Sequence, residues 1–134
     1  MKIGFIASAF DLCHPGHLAL LKEAKNHCDY LVCALHTDPT IDRPATKTKP
    51  IESTLERWLR LVSCKYVDEV VPYDTEADLL NLLTTLKPQV RFLGSDYIGK
   101  DFTGKYLEIP VMYLDRSHTF SSSELRKRIL DRSM

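Results

Sequence analysis

The chain has 134 residues, with 18 Lys+Arg against 18 Asp+Glu, so its formal net charge is zero. That length predicts a single domain, residues 1–134, able to bury roughly two thirds of its unfolded surface around one core. Balanced charge excludes the basic excess of a general nucleic-acid or anionic-membrane binder, so any polyanion it binds must be small and met locally.

Lys2 to Ala9 is an apolar run that fits a strand buried on both faces. Pro15 to Cys28 reads as a helix, with Pro15 in its first turn and Leu18, Leu21 and Ala24 at helical spacing. Tyr30 to Leu35 is a second buried strand, and the strand–helix–strand crossover makes the two strands parallel. Thr37 to Ile51 is polar, holds Pro39, Pro44 and Pro50, and reads as a long functional loop.

Ser53-x-x-Glu56 has the capping-box spacing and opens a helix whose buried stripe is predicted at Leu55, Trp58, Leu59 and Val62. Tyr66 to Pro72 is a third strand, and Glu76 to Leu86 a helix stopped by Pro88. Val90 to Leu93, ending at Gly94, and Ile109 to Leu114 are the fourth and fifth strands. Ser121-x-x-Glu124 opens a last helix to about Leu130. Alternating strands and helices predict an open three-layer α/β sheet.

No apolar run approaches the ~20 residues of a membrane span, and the N-terminus lacks the pattern of a signal peptide. Cys13, Cys28, Cys33 and Cys64 form no C-x-x-C pair, so free thiols in a cytoplasmic domain are expected.

In such a sheet, ligands bind beyond the carboxyl ends of the strands. The first strand ends into Ser8-Ala9-Phe10-Asp11-Leu12-Cys13-His14-Pro15-Gly16-His17. His14 and His17 stand three apart at a helix start, so both rings can face one side. The helix's free N–H groups and positive end are expected to point there too, and Gly16 leaves room for close approach. Two histidines and a helix N-terminus make a phosphate site. Metal ligation by His-x-x-His would need a third ligand, and none is obvious nearby. Three hydroxyls at Ser121, Ser122 and Ser123 form a second helix start suited to an anion. Gly99 to Lys105 satisfies most of a P-loop pattern, but Tyr106 stands where Ser or Thr is needed and a strand follows, so no P-loop is assigned.

The Ala-Phe-Asp-x-x-His-Pro-Gly-His stretch resembles the signature of the HxGH nucleotidyltransferases, and within them the small cytidylyltransferases typified by glycerol-3-phosphate cytidylyltransferase. Asp29-Tyr30-Leu31-Val32, Thr37-Asp38, Lys47, Lys49, Glu56-Arg57, Tyr66-Val67-Asp68-Glu69-Val70, Leu93-Gly94-x-Asp96, Arg116 and Phe120-Ser121-Ser122-Ser123 extend the resemblance over nearly the whole chain.

The resemblance implies a Rossmann-like three-layer sandwich with a central five-stranded, mostly parallel sheet. It implies transfer of CMP from CTP, with Mg²⁺, to a small phosphorylated alcohol such as glycerol 3-phosphate, releasing pyrophosphate. ATP with a sugar phosphate or cofactor precursor, or a nucleotide-binding module without strong catalysis, are the alternatives. His14, His17, Lys47 and Arg116 are the implied catalytic groups. Ser8, Ala9, Phe10, Asp11, Gly16, Gly94, Asp96, Ser121, Ser122 and Ser123 would bind nucleotide. Asp38, Lys49 and Arg57 would face the acceptor, and Asp11 the metal. A homodimer through the Tyr66–Val70 segment is also implied, with no nucleic acid and no membrane as partner. The chain departs from the family's Gly-Thr-Phe-Asp at Ser8-Ala9, where Ala9 lacks the phosphate-binding hydroxyl. It also carries Lys65 where an arginine is expected and Ser95 where an acid is expected.

Overall fold

The computed structural model describes residues 1–115 and 122–133. Among them the order is β1 (Ile3–Ser8), α1 (Pro15–Asn26), β2 (Tyr30–His36), α2 (Thr54–Val62), β3 (Glu69–Tyr73), α3 (Glu76–Leu86), β4 (Val90–Gly94), β5 (Val111–Leu114) and α4 (Ser122–Ser133). Single helical turns lie at Ser95–Tyr97 and Lys105–Leu107, and Asp11–Cys13 is a tight turn with non-helical backbone at Leu12. None of the described helices is long and apolar enough to cross a membrane.

The strands form one sheet in the order β3-β2-β1-β4-β5, and every neighbouring pair is parallel. The fold is thus the α/β Rossmann-like sandwich the sequence implies. Successive residues of β1 point to opposite faces. Ile6 joins Cys33 and Leu35 of β2, Leu20, Leu21 and Ala24 of α1, and Leu61 of α2. Phe5 joins Val32 and Ala34 of β2 and Leu79 and Leu83 of α3 on the other side. A Cβ on Gly4 would lie 2.6 Å from the Phe92 ring and 2.8 Å from Cys28 Sγ, so β1 needs glycine here to run this close to its neighbours.

The helix starts expected at Pro15, Ser53 and Glu76 hold. Ser53 Oγ accepts the Glu56 N–H at 3.2 Å while the Glu56 carboxylate accepts the Ser53 N–H at 2.9 Å. Thr75 and Asp78 cap α3 in the same reciprocal way. Lys87, at φ 49°, ends α3 ahead of Pro88.

Three expectations are corrected. The stripe of α2 is exposed: Leu55 is 63%, Trp58 38%, Leu59 50% and Val62 43% accessible. Its inner face is Arg57 and Leu61. On α1, Leu18 faces solvent and Leu20 takes the core position beside Leu21 and Ala24. The third strand begins at Glu69, because the preceding residues turn. There the Asp68 carboxylate accepts the Leu31 N–H at 2.8 Å and the Lys25 ammonium at 2.5 Å.

The chain winds outward from β1 through β2 to β3 on one side, and from β4 to β5 on the other. The order reverses between β1 and β4, the place where open α/β sheets bind ligands at the carboxyl ends of their strands.

Candidate active site

The loop after β1 is held in an uncommon conformation. Phe10, Leu12 and Cys13 have φ of 50°, 63° and 32°, the left-handed region that non-glycine residues seldom occupy. Such backbone persists only where its surroundings over-determine it. Arg57 Nη1 donates to the Ala9 carbonyl at 3.0 Å. The Ile51 and Glu52 N–H groups donate to the Asp11 carboxylate at 3.0 and 3.1 Å. Glu52 Oε1 accepts the Leu12 N–H at 2.8 Å, and Arg60 donates to the Leu12 carbonyl at 3.1 Å while pairing with Glu52 at 2.8 Å. The loop is clamped by the residues that open α2.

This clamp delivers His14 and His17. Their rings stack with centroids 3.9 Å apart and planes 23° from parallel. The Phe10 ring meets His17 edge-on at 5.5 Å. His14 caps α1, its Nδ1 accepting the Gly16 N–H at 3.0 Å. Accepting at Nδ1 places the ring hydrogen on Nε2, which makes that nitrogen a donor.

The same contact corrects the expectation of free N–H groups at the start of α1. Pro15 has none, Gly16 gives its own to His14 Nδ1, and His17 gives its own to the His14 carbonyl at 2.9 Å. An anion here meets imidazole and the helix's positive end, not open backbone donors. Ser8, half-buried at the end of β1, accepts the Phe10 N–H on its oxygen at 3.4 Å. Gly94 ends β4 beside β1, and Asp96 follows it, exposed, on the next turn.

Asp11 is 4% exposed. Burial pushes its carboxyl up, but hydrogen bonds from Ile51, Arg126 and Glu52 outweigh that and hold it below the ordinary value. With both oxygens engaged by two N–H groups and a guanidinium, Asp11 does not fit the role of principal Mg²⁺ ligand. Among the described residues no three His, Cys, Asp or Glu side chains converge as a metal site.

Asp38, Lys49 and Arg57 line one open cavity of about 430 Å³, together with Thr37 and the 50–54 segment. The Thr40 hydroxyl and N–H bind the Asp38 carboxylate and hold its pKa down. Arg57 is 2% exposed, and its guanidinium also donates to the carbonyls of His36 at 2.7 Å and Thr37 at 2.6 Å. It thereby joins the ends of β1 and β2 to the start of α2. Lys47 and Lys49 are exposed on the β2–α2 loop. Arg116 and Ser121 lie outside the described residues. Ser122 and Ser123 are placed only as the first residues of α4.

Two residues of this region escaped the sequence reading. Glu52 sits at the end of a polar loop with no motif of its own. Arg126 of α4 reaches Asp11 at 2.7 Å from 115 residues away, one basic residue in a charged run that no spacing singles out. His36 is buried, stacks on Tyr73 at 4.5 Å and bonds the Asp74 carbonyl, which makes it a core group. The four cysteines form no disulfide, and burial raises the Cys13, Cys28 and Cys33 thiols. The 99–105 segment runs into a single helical turn and then β5, as expected when the P-loop was set aside.

Comparisons with known proteins identify the family and the fold. The cytidylyltransferase-like family model matches residues 5–129. The chain is 38% identical over 104 residues to the bifunctional protein HldE of Caulobacter sp. (strain K31), covering 78% of this chain and 21% of that protein. It therefore spans about a fifth of the length of that curated relative. The lipopolysaccharide core biosynthesis protein from Thermoplasma volcanium GSS1 superposes with a TM-score of 0.63 at 23% identity, covering 100% of this chain and 90% of that one. Pantoate-beta-alanine ligase from Francisella tularensis, complexed with beta-gamma ATP and beta-alanine, has a TM-score of 0.62 at 16% identity, covering 99% and 70%. Sheet order, the clamped His14–His17 pair and the family match together place the chain in the cytidylyltransferase-like family of nucleotidyltransferases.

Proposed function

We propose that the protein transfers a nucleotidyl group from a nucleoside triphosphate to the phosphate of a small acceptor. An acceptor phosphate oxygen attacks the α-phosphorus, the bond from that phosphorus to the bridging oxygen breaks, and pyrophosphate leaves. Such transfer depends on positioning and charge stabilisation more than on covalent help from the protein. The observation that carries the reading is the stacked His14–His17 pair, with His14 Nε2–H fixed as a donor at the head of α1.

His14 and His17 hold the charge that develops on the phosphates. Lys47 approaches from its loop, and Arg116 with the start of α4 holds the β- and γ-phosphates. Mg²⁺ bound to the triphosphate would supply further neutralisation of its charge. The acceptor occupies the cavity lined by Asp38, Lys49 and the Arg57 segment.

CTP as donor, with glycerol 3-phosphate as acceptor, is supported by the cytidylyltransferase-like match and by the motifs quoted above. A second reading, ATP with a sugar phosphate, is favoured by the neighbours: one is complexed with beta-gamma ATP, and another serves lipopolysaccharide core biosynthesis. Both readings assign the phosphates to the same residues. Calorimetric titration with CTP and with ATP, followed by pyrophosphate release against glycerol 3-phosphate and a panel of sugar phosphates, tests both. Preference for ATP and a sugar phosphate overturns the first. Binding of either nucleotide without pyrophosphate release by folded protein overturns the proposed reaction.

The expected homodimer has a surface suited to it. Leu55, Trp58, Leu59 and Val62 form an apolar stripe on α2, next to the partly buried Tyr66, Val67 and Val70.

A further inference from the structure

The loop that carries Lys47 is tied to the first turn of α3 at Glu76. Within that loop Arg43 has two contacts of opposite kind. Its carbonyl accepts the Lys47 N–H at 3.0 Å and the Thr46 N–H at 3.3 Å, which closes the turn bearing the lysine. Its guanidinium reaches α3, where Nη2 lies 2.5 Å from Glu76 Oε1. The Glu76 backbone N–H donates to the Asp42 carboxylate at 2.6 Å. Glu76 therefore grips both Asp42 and Arg43.

The other oxygen of Glu76 faces the opposite way. Oε2 accepts the Thr103 hydroxyl at 2.8 Å. Thr103 belongs to the β4–β5 connection, and its carbonyl accepts from Arg91, a buried side chain of β4. A single carboxylate thus joins the β2–α2 loop to the β4–β5 loop. Glu76 stands in the first turn of α3, where the helix's positive end favours a negative charge. The Arg43 side chain is 45% exposed and that of Glu76 25%, and a pair so open to water adds little stability by itself. Its consequence is geometric.

We propose that Glu76 is a positioning residue for Lys47. By holding Arg43 and Asp42 it sets the turn that presents the lysine to the phosphates, and through Thr103 it couples that turn to the loop after β4. This rests on the reading of Lys47 as a phosphate-binding group.

The test uses Glu76→Gln in the full chain, alone and combined with Lys47→Ala, read by backbone amide exchange over residues 43–47 and by steady-state turnover. Glu76→Gln is expected to speed exchange of the Lys47 N–H about tenfold and to lower kcat about tenfold with KM for the acceptor little changed. In the Lys47→Ala background the same change is expected to cost less than about twofold, because both substitutions then remove one function. Thr103→Val, which spares Arg43, is expected to show a smaller effect of the same kind. Unaltered exchange at residues 43–47, or losses that simply multiply in the double variant, overturns the proposal. Should Lys47→Ala alone leave turnover unchanged, the reading of Lys47 fails, and the exchange data still decide whether Glu76 holds the turn.

Discussion

Asp11 and Arg126, 115 positions apart in the chain, meet at 2.7 Å beneath the loop that presents the two histidines. Asp11 also takes the Ile51 and Glu52 N–H groups, so one carboxylate ties the end of β1, the entry to α2 and the C-terminal helix together. Removing one member of such a buried set leaves the others unpaired.

The first prediction concerns that carboxylate. Its folded pKa lies below the ordinary value, so it contributes stability above the unfolded value near 3.9, lost as the pH falls through the folded one. Asp11→Asn is expected to cost about 2 kcal/mol at pH 7 and to flatten the acid side of the stability curve. Urea unfolding across pH 3 to 7 checks both.

Arg57 provides the second. Its guanidinium serves five carbonyls, those of Ala9, His36, Thr37, Glu52 and Ser53. Lysine has a single ammonium and no planar fork, so Arg57→Lys is expected to cost about 3 kcal/mol and to loosen the 9–13 loop. A change below about 0.5 kcal/mol, the range of ordinary surface substitutions, contradicts the clamp.

His36 gives a pH dependence of its own. Burial lowers its pKa, and the nearby Glu76 charge opposes this only in part. A depressed histidine favours its neutral form, so its stability contribution is complete above about 6.5 and declines as the pH falls below that. His36→Phe keeps a ring against Tyr73 and is expected to remove that portion of the decline, measured as the melting temperature between pH 7.5 and 5.5.

For the exposed face of α2, the expectation is a dimer in sedimentation equilibrium, converted to monomer by Trp58→Glu with the circular dichroism unchanged. Wild-type protein that stays monomeric sinks the assignment of that face.

Much of the fold was legible because β1, β2 and β4 are short apolar runs bounded by polar turns. The His14-x-Gly16-His17 spacing likewise anticipated two histidine rings brought together at the start of α1. Three features were not legible, each for a physical reason. Periodicity shows that Leu55, Trp58, Leu59 and Val62 share a face, but not that Arg57 has taken the inner one. A helix N-terminus reads as open donors, yet here proline, the His14 ring and the His14 carbonyl use or replace them. Contacts such as Asp11–Arg126 join residues whose separation leaves no pattern in the sequence.

The most direct measurement is pyrophosphate release by the folded protein with Mg²⁺, CTP or ATP and phosphorylated acceptors, compared with His14→Ala and His17→Ala. The account predicts turnover with one donor–acceptor pair and a loss of at least about 100-fold in each variant, with nucleotide affinity falling far less. Turnover that survives both substitutions, or none with any pair, contradicts it.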